Sequence, residues 1–302
     1  MASLTLPIRP LSVVALSLFI VLPLALAVGG KPAALTYHNG PILNGNVNLV
    51  LLWYGPFARV QKRSINSFLK SLNFNGGGNL QPQVSSWWQV VESYQSVARK
   101  GNGKIQVNIA ATVNDPNYSI GKILNQDFIR ILVQKVAKPN TVVVILASRQ
   151  VTVQGTCMGK CSQHGAIGNQ PYIIVQNPEY ECPGECAWPF HKSDSGPQGV
   201  VFTPPSGNVG ADAMVISLAS GLAETVTNPF NTGFFTPGRH DAVEATTACP
   251  AMFGTGAFPG NAGKVRIDPK TGGAFNAHGV KGRQFLLPAL WNPKTSSCWT
   301  PL

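Results

Sequence analysis

The sequence predicts an α/β fold with a mixed or mostly parallel sheet. Three short apolar runs indicate buried strands, namely "VNLVLLW" from Val47 to Trp53, "TVVVIL" from Thr141 to Leu146 and "PYIIVQ" from Pro171 to Gln176. Stretches with helical spacing of apolar residues stand between these runs. Alternation of strands and helices along the chain is typical of α/β proteins, whereas a periodicity of one kind throughout would indicate another class.

The first two predicted helices follow the first strand. Arg59 to Leu72 places its apolar residues near helical spacing and its basic residues on the other side, which indicates an amphipathic helix. A second helix starts at Ser85 or Ser86, either of which can cap it. The adjacent Trp87 and Trp88 could form a platform for carbohydrate, but helical spacing favours core-facing anchors.

The remaining elements become shorter toward the C-terminus. Lys104 to Thr112 alternates as a strand does, and Asp127 to Val136 has helical spacing. Ala211 to Val226 is the last long helix, and Asn228-Pro229 ends it. An apolar stripe on this helix lies opposite Ser217, Ser220 and Glu224. The best later strand candidates are short, at residues 265–268 and 285–287.

These patterns divide the chain into four parts. We predict a signal peptide at 1–27, a loose lead-in at 28–46, an α/β core at 47–229 and a loop-rich C-terminal subdomain at 230–302, packed on the core. The signal peptide rests on one positive charge at Arg9, the apolar run from Leu11 to Leu22 and the small-residue site Ala25-Leu26-Ala27. The run is shorter than the ~20 residues of a spanning helix, and we expect no membrane span later in the chain.

The chain is basic, with 23 Lys and Arg against 12 Asp and Glu and a net charge of +11. The densest basic cluster comprises Arg59, Lys62, Arg63 and Lys70. Because no basic run is interleaved with aromatic residues, nucleic acid is not an expected partner. A basic secreted protein is expected to meet acidic polysaccharide or a membrane surface, although the charge can equally serve solubility alone.

Six cysteines in a secreted chain predict disulfides. Two Cys-x₃-Cys pairs lie in separate loops, and an oxidising compartment favours disulfides within or between these loops over a zinc site. Cys249 and Cys298, which lie outside these two pairs, would then pair by elimination. The six are Cys157, Cys161, Cys182, Cys186, Cys249 and Cys298. The sequon Asn117-Tyr118-Ser119 predicts glycosylation at Asn117.

The stretch from Ser217 to Phe230, which includes most of the last long helix, carries a single acid, Glu224, in "SGLAE". A zinc peptidase helix reads His-Glu-x-x-His, with two imidazole ligands and a glutamate as general base. Here Ser220 and Gly221 occupy the first ligand and base positions, and no two histidines stand in a His-x₃-His pair. Glu244 is the only acid we consider as a partner for Glu224, and nothing in the sequence places the two together. We therefore predict no catalytic residue, no metal and no cofactor.

Several long motifs of the chain are shared with one known family. They are "LTYHNGPIL" (35–43), "VNLVLLWYG" (47–55), "SSWWQVV" (85–91), "CPGECAWPFH" (182–191), "NPFNTGFF" (228–235), "FNAHGVKGRQFLLPALWNP" (275–293) and "SSCW" (296–299). Through them the chain resembles the EXORDIUM / phosphate-induced protein 1 family of land plants over essentially its whole mature length. The resemblance implies a secreted cell-wall (apoplastic) protein linked to growth, cell expansion and brassinosteroid or nutrient response.

The resemblance also bears on the fold and on Glu224. With the order of elements it implies a zincin-like α/β architecture with a loop-rich, disulfide-tied C-terminal subdomain. Some members carry His-Glu-Leu-Ala-Glu where this chain has Ser220 to Glu224, and Glu and Asp where it has Glu244 and Thr247. The resemblance therefore implies that Ser220, Gly221, Glu224 and Glu244 are relic positions of a metal site.

Three functions follow from these observations. The leading one is a non-catalytic growth-regulatory protein that binds a wall polysaccharide or a wall or receptor protein, partly through aromatic loops around Trp188 and Trp299. The alternative is a degenerate zincin-like hydrolase, or an enzyme acting on wall polysaccharide, that uses Glu224, Glu244 and a histidine such as His240. The third is a structural wall component held by charge alone.

Overall fold

The computed structural model describes residues 34–76, 80–194 and 199–302. The expected signal peptide and residues 28–33 of the lead-in lie outside these ranges. The helices are α1 (Arg59–Leu72), α2 (Val84–Glu92), α3 (Tyr94–Val97), α4 (Gln126–Val136), α5 (Pro183–Cys186) and α6 (Val209–Thr227), with a 3-10 helix at Val280–Gly282. The strands are β1 (Thr36–Tyr37), β2 (Asn46–Tyr54), β3 (Gln106–Asp115), β4 (Ile123–Leu124), β5 (Thr141–Ala147), β6 (Thr152–Val153), β7 (Ser162–Ile167), β8 (Gln170–Val175), β9 (Phe234–Phe235), β10 (Arg266–Ile267), β11 (Ala274–Phe275), β12 (Ala277–His278), β13 (Gln284–Phe285), β14 (Leu290–Asn292) and β15 (Ser297–Trp299).

Five strands form the central sheet in the order β3, β2, β5, β8, β7. The first four are parallel, and β7 runs antiparallel to β8 at the edge. The sheet is therefore mixed, as the alternation of elements predicted. Every residue of β5 is buried, which is what a central strand covered on both faces requires.

Helices cover both faces of the sheet. Side chains alternate between the faces along each strand, so Leu49, Leu51 and Trp53 of β2 pack with α1, α2 and α6. Their neighbours Val50 and Leu52 pack with α4 on the other face. The first of these two apolar layers continues into residues 245–291, so the predicted boundary at residue 230 does not interrupt the core.

The start of α2 differs from the prediction. The helix begins at Val84, Gln83 is its N-cap residue and no side chain caps it, so the predicted cap by Ser85 or Ser86 is wrong. Ser85 lies inside the first turn, where its hydroxyl donates to Gln83 Oε1 at 3.3 Å. The hydroxyl therefore bonds to a side chain and not to the backbone N–H groups at the start of the helix.

The tryptophan pair of α2 lies in the core, and Trp87 also bonds to the C-terminal part of the chain. Trp87 and Trp88 are both buried, as predicted for core anchors. The Trp87 indole donates to Pro288 O and the Trp88 indole to Ile105 O, both at 2.8 Å. Each ring thus buries its apolar surface while its one polar group keeps a partner.

Helix α6 is buried on nearly all sides. By length and composition it is the one helix of the described residues that could cross a membrane, but most of it lies inside the protein. Ser217 and Glu224, opposite the apolar stripe, are buried as well. A mostly apolar helix with small residues suits this position between the sheet and the C-terminal segment.

The described part of the lead-in is tied to the C-terminal half. Thr36–Tyr37 pairs antiparallel with Phe234–Phe235, and the N–H of Leu43 donates to Val226 O at 2.9 Å. The expectation of a loose segment is therefore wrong from residue 34 onward. The short strand and these backbone hydrogen bonds hold it against the end of α6.

Three disulfides join all six cysteines. Cys157 bonds to Cys182 and Cys161 to Cys186, so the two Cys-x₃-Cys loops are linked to each other in parallel register. Cys249 bonds to Cys298, the pair that elimination favoured. This last bridge closes a 49-residue separation and ties β15 back to the segment that follows β9.

A single buried amide organises the loop-rich segment from 250 to 290. Asn276 is fully buried, and its amide nitrogen donates to Phe253 O at 2.8 Å and to Leu287 O at 2.7 Å. Its amide oxygen accepts the N–H of Leu287 at 2.8 Å. One side chain thus satisfies three backbone groups that lie outside regular sheet pairing.

We predict that Asn276→Ala lowers the free energy of unfolding by about 3–5 kcal/mol, because each buried group left without a partner costs about 1–3 kcal/mol. Urea unfolding of the two proteins measures the difference. The exposed Asn102 provides the control, since Asn102→Ala should stay within about 0.5 kcal/mol of the wild type. Equal effects of both substitutions would contradict this role of Asn276.

Candidate functional site

A buried cluster of one histidine and two glutamates lies beside α6. A ring nitrogen of His164 and one carboxylate oxygen from each of Glu224 and Glu244 lie within 4.8 Å of one another. The three side chains come from β7, from α6 and from the turn that follows Val243. In that turn the Thr247 hydroxyl accepts the N–H of Glu244 at 2.7 Å. The structure therefore brings together the two acids that the sequence alone could not place.

His164 lies on a β-hairpin that places it in the cluster. Strands β7 and β8 are joined by the two-residue turn Gly168-Asn169, in which Gly168 has a φ of 60°, a left-handed conformation that favours glycine. His164 pairs across the hairpin with Ile173, whose side chain belongs to the core layer of α6. Cross-strand partners share a face, so the imidazole is directed toward the helix.

Glu244 is the hub of the cluster. Its Oε2 lies 2.8 Å from His164 Nε2, and its Oε1 accepts a hydrogen bond from Asn228 Nδ2 at 2.6 Å. The other end of the Asn228 amide accepts the N–H of Gly233 at 2.7 Å. The side chains of His164 and Glu244 are only 7% and 11% exposed. This ion pair is therefore buried, and removing one partner would leave an uncompensated charge.

The pKa values of Glu224 and His164 are both raised in the cluster. Burial and, secondly, the charge of Glu244 raise the pKa of Glu224 to about 7, although the Thr246 hydroxyl donates a hydrogen bond to its Oε1. Burial alone would lower the pKa of His164, but the hydrogen bond and charge of Glu244 outweigh it and raise the pKa. Burial and the charge of Glu224 also raise the pKa of Tyr94 well above its usual value.

The position of a zinc peptidase's general base is closed by the hairpin. A Cβ atom on Gly221 would lie 2.8 Å from Ile173 Cγ2 and 3.4 Å from Ser162 Oγ. Strands β7 and β8 therefore pack directly on the helix at this residue, and a glutamate here would displace the hairpin. The half-buried Ser220 offers a hydroxyl in place of the imidazole ligand, and a serine hydroxyl is not among the usual zinc ligands.

The cluster fits a catalytic metal poorly. His164, Glu224 and Glu244 offer one nitrogen and two oxygen donors, a set that first-row divalent ions accept. A metal-bound imidazole normally donates its other N–H to a partner, yet His164 Nδ1 is buried without one in the described structure. Both oxygens of Glu244 already accept hydrogen bonds, and the side chains of His164, Glu224 and Glu244 are almost wholly buried. We therefore derive no catalytic step through a metal.

Comparison with known proteins decides the family. A family model described as "Phosphate-induced protein 1 conserved region" matches residues 35–301. The chain belongs to the phosphate-induced protein 1 family. It is 42% identical to Protein EXORDIUM-like 6 of Arabidopsis thaliana over 86% of this chain and 90% of that protein. It is 41% identical to Protein EXORDIUM of the same plant over 88% of both chains, and 39% identical to Protein PHOSPHATE-INDUCED 1 of Nicotiana tabacum over 88% of both. No solved structure matches the chain.

Three other residues singled out from the sequence of this phosphate-induced protein 1 chain lie away from the cluster. His240 is exposed in a loop and does not join the cluster, so the histidine proposed with Glu224 and Glu244 is wrong and His164 takes its place. Asn117 is exposed in a turn, a position that glycosylation requires. Trp188 is half-buried against Phe253, with ring centroids 5.7 Å apart, so it contributes to packing.

The sequence did not identify His164 as a site residue, because strand β7 was not predicted. The segment "SQHGAI" has only two apolar residues and stands between the cysteine loops. A signal was present nonetheless, since a two-residue Gly-Asn link before an apolar strand is typical of a hairpin. Predicting that hairpin would have placed His164 on the same face as Ile173.

We predict that the free energy of unfolding falls as pH rises from about 4.5 to about 7. Glu224 has a folded pKa of about 7 against a usual 4.5, so its stabilising proton is fully bound below pH 4.5 and is lost as pH rises through 7. The raised pKa of His164 acts in the same direction. Burial raises the pKa of Asp212 to about 6, which adds to the effect.

Urea unfolding at several pH values measures this slope. Glu224→Gln keeps an acceptor for Thr246 but cannot bind the proton, so we expect the decline over this window to shrink by more than about 1 kcal/mol. Asp127→Asn removes an exposed carboxylate and should leave the slope unchanged. Stability that rises with pH, or a Glu224→Gln protein with the wild-type slope, would contradict the assignment.

Proposed function

We propose that this chain is a secreted, non-catalytic protein of the plant cell wall that regulates growth by binding acidic wall polysaccharide. The observation that carries the proposal is the exposed face of α1. Arg59, Arg63 and Lys70 are exposed on this helix, which contains no acidic residue. Among the ion pairs of the described residues, none involves these three side chains.

The surface is more basic than the composition suggests. Of the 12 acids in the chain, four are buried, namely Asp115, Asp212, Glu224 and Glu244. Of these, Asp115 pairs with the exposed Lys135, while the other three form no ion pair with a lysine or arginine of the described structure. None of the lysines and arginines in the described ranges belongs to the buried core. A surface with this imbalance attracts polyanions over a distance set by ionic strength.

Secretion and the absence of catalysis rest on separate observations. The three disulfides fit an oxidising, extracellular compartment, and the sequence carries a signal-peptide pattern. The central sheet with an antiparallel edge strand beside α6 supports a zincin-like architecture for the 47–229 core. The closed contact at Gly221 supports a scaffold of that kind without its chemistry. We also propose a link to cell expansion and to brassinosteroid or nutrient response, on the ground of the family membership.

The chain should sediment with polygalacturonate and much less with a neutral glucan, and added NaCl should release it. Changing Arg59, Arg63 and Lys70 together to Gln should weaken binding at low salt by roughly tenfold or more, a loss of about 1.4 kcal/mol or more. The matched control changes three exposed cations outside α1, Arg99, Lys100 and Lys104, to Gln.

The outcomes separate the competing functions. Equal losses in both triple variants would favour the third function, retention by diffuse charge alone. Binding that survives high salt would contradict an electrostatic site. A protein that binds no polysaccharide but captures a wall or receptor protein would move the proposal to that partner.

The competing function is a degenerate zincin-like hydrolase, favoured by the three donor atoms of His164, Glu224 and Glu244. Elemental analysis of the secreted protein after dialysis distinguishes it from a binding protein. We expect less than one zinc per ten chains, because both oxygens of Glu244 already accept hydrogen bonds and His164 Nδ1 has no orienting partner in the described structure. One zinc per chain, lost in Glu224→Ala and retained in Asp127→Asn, would favour the hydrolase over the binding protein.

A further inference from the structure

A cleft of about 260 Å³ lies at the edge of the central sheet where the parallel strands begin. Strands β2, β5 and β8 run parallel to one another, so their first residues and the turns before them meet at this edge. One further wall comes from Phe230, which follows the end of α6. We call this site the amino-edge cleft. None of its lining residues belongs to the His164 cluster or to α1.

The polar lining of the amino-edge cleft consists mainly of side-chain amides. All of these amide residues are exposed or half-buried, so the solvent that fills the cleft reaches them. They are Asn44, Asn46, Asn48, Asn140, Asn169 and Gln170. The lining includes no aspartate, glutamate, histidine, lysine or arginine. In a chain with a net charge of +11, this uncharged lining separates the cleft from the basic surface.

Most of these amides are available to a ligand. The amide nitrogen of Gln170 donates to backbone carbonyls of the sheet, and Asn48 Oδ1 accepts a long hydrogen bond of 3.5 Å from Asn108. The other four side chains make no hydrogen bond to a protein group within the described structure, namely those of Asn44, Asn46, Asn140 and Asn169. Each free amide offers two N–H donors and one oxygen acceptor.

The turns before the three strands hold the amides in place. Gly45, just before β2, has a φ of 61°, and its carbonyl accepts the N–H of Gln106 at 2.8 Å. Asn140, just before β5, has a φ of 57°, a left-handed conformation that asparagine tolerates better than most residues. Gly168 begins the turn before β8. The amides therefore project from the ends of a rigid sheet, which favours a preformed site.

This lining selects an uncharged ligand that carries both donors and acceptors. A charged ligand would find no opposite charge in the cleft, and a wholly apolar one would take the amides out of water without replacing their hydrogen bonds. A sugar hydroxyl both donates and accepts, so it matches either end of an amide. Phe230 and Leu43, both half-buried, add apolar surface for the C–H groups of a ring.

The size of the cleft limits the ligand to about one ring. Its volume is below the ~300–1,000 Å³ of pockets for drug-sized ligands. Neighbouring strands lie about 4.8 Å apart, so groups on β2 and β8 are about 10 Å apart across β5. A sugar ring with its hydroxyl groups spans that distance between side chains, whereas an extended peptide requires a longer groove or a free sheet edge.

We propose that the amino-edge cleft binds one neutral sugar ring, with Asn46 and Asn169 as hydrogen-bonding groups and Phe230 against the ring. The lining holds no acid or base, so the site binds sugar without general acid–base catalysis. The proposal goes beyond the polyanion-binding face of α1 and does not depend on it, because the two sites share no residue and select ligands of different charge.

The test titrates the secreted full-length protein at high NaCl with glucose, galactose, xylose and arabinose, and saturation-transfer NMR measures binding. Galacturonate, inorganic phosphate and N-acetylglycinamide stand for a charged sugar, a simple anion and a peptide backbone. We expect saturable binding of at least one neutral sugar, tighter than that of the three comparison compounds and not weakened by NaCl. No saturable binding of a neutral sugar, or tighter binding of a comparison compound, would overturn the proposal.

The variants locate the binding. Asn46→Ala and Asn169→Ala should each weaken sugar binding roughly five- to tenfold, because each removes one hydrogen-bonding amide. Thermal stability should be unchanged, since both side chains are exposed and have no protein partner in the described structure. The exposed Asn102 lies outside the cleft, and Asn102→Ala should bind sugar like the wild type. Wild-type affinity in both cleft variants, or an equal loss in Asn102→Ala, would contradict the assignment.

Failure of this site and failure of the proposed function are distinguishable. High NaCl releases polyanions from α1, so sugar binding at high salt reports on the amino-edge cleft alone. The variant with Arg59, Arg63 and Lys70 changed to Gln should bind neutral sugar like the wild type. Conversely, Asn46→Ala and Asn169→Ala should still sediment with polygalacturonate at low salt.

Discussion

The buried carboxylate of Glu244 is the constraint on which the arrangement around α6 depends. A charge removed from water must be compensated, and here a histidine from the edge strand and an amide at the end of the helix provide the compensation. Asn228 in turn holds the backbone of Gly233, which leads into the strand that pairs with Thr36–Tyr37. One buried charge therefore links the edge of the sheet, the central helix, the lead-in and the C-terminal turn.

The long apolar elements were predictable because their sequence patterns are local. Helix α1 has the bounds that its periodicity predicted, and Thr141 begins a strand as expected. The predictions failed where distant residues decide the local structure. Gln83 replaces a serine at the start of α2, and the described lead-in is ordered by hydrogen bonds to a strand nearly 200 residues later. No local pattern around residue 36 carries that information.

The candidate site was predictable only in part, for the same reason. The position of Glu224 on a helix and the absence of a base at Gly221 follow from the sequence. The meeting of Glu224 with Glu244 depends on the turn held by Thr247, and the arrival of His164 depends on a hairpin with few apolar residues. A search for two histidines at fixed spacing on one helix cannot find a histidine that lies on a neighbouring strand. The pairing of the four loop cysteines is likewise a property of how two loops meet.

The contact at Gly221 shows how one missing side chain fixes the position of the edge hairpin. With no side chain at this residue, the hairpin packs directly on α6, and Glu224 and Glu244 are buried beside it. The polysaccharide-binding function that we propose rests instead on residues that the core does not use. The cations of α1 satisfy this condition, because their helix is fixed by Ile65, Phe68 and Leu69 on its inner side while Arg59, Arg63 and Lys70 are exposed.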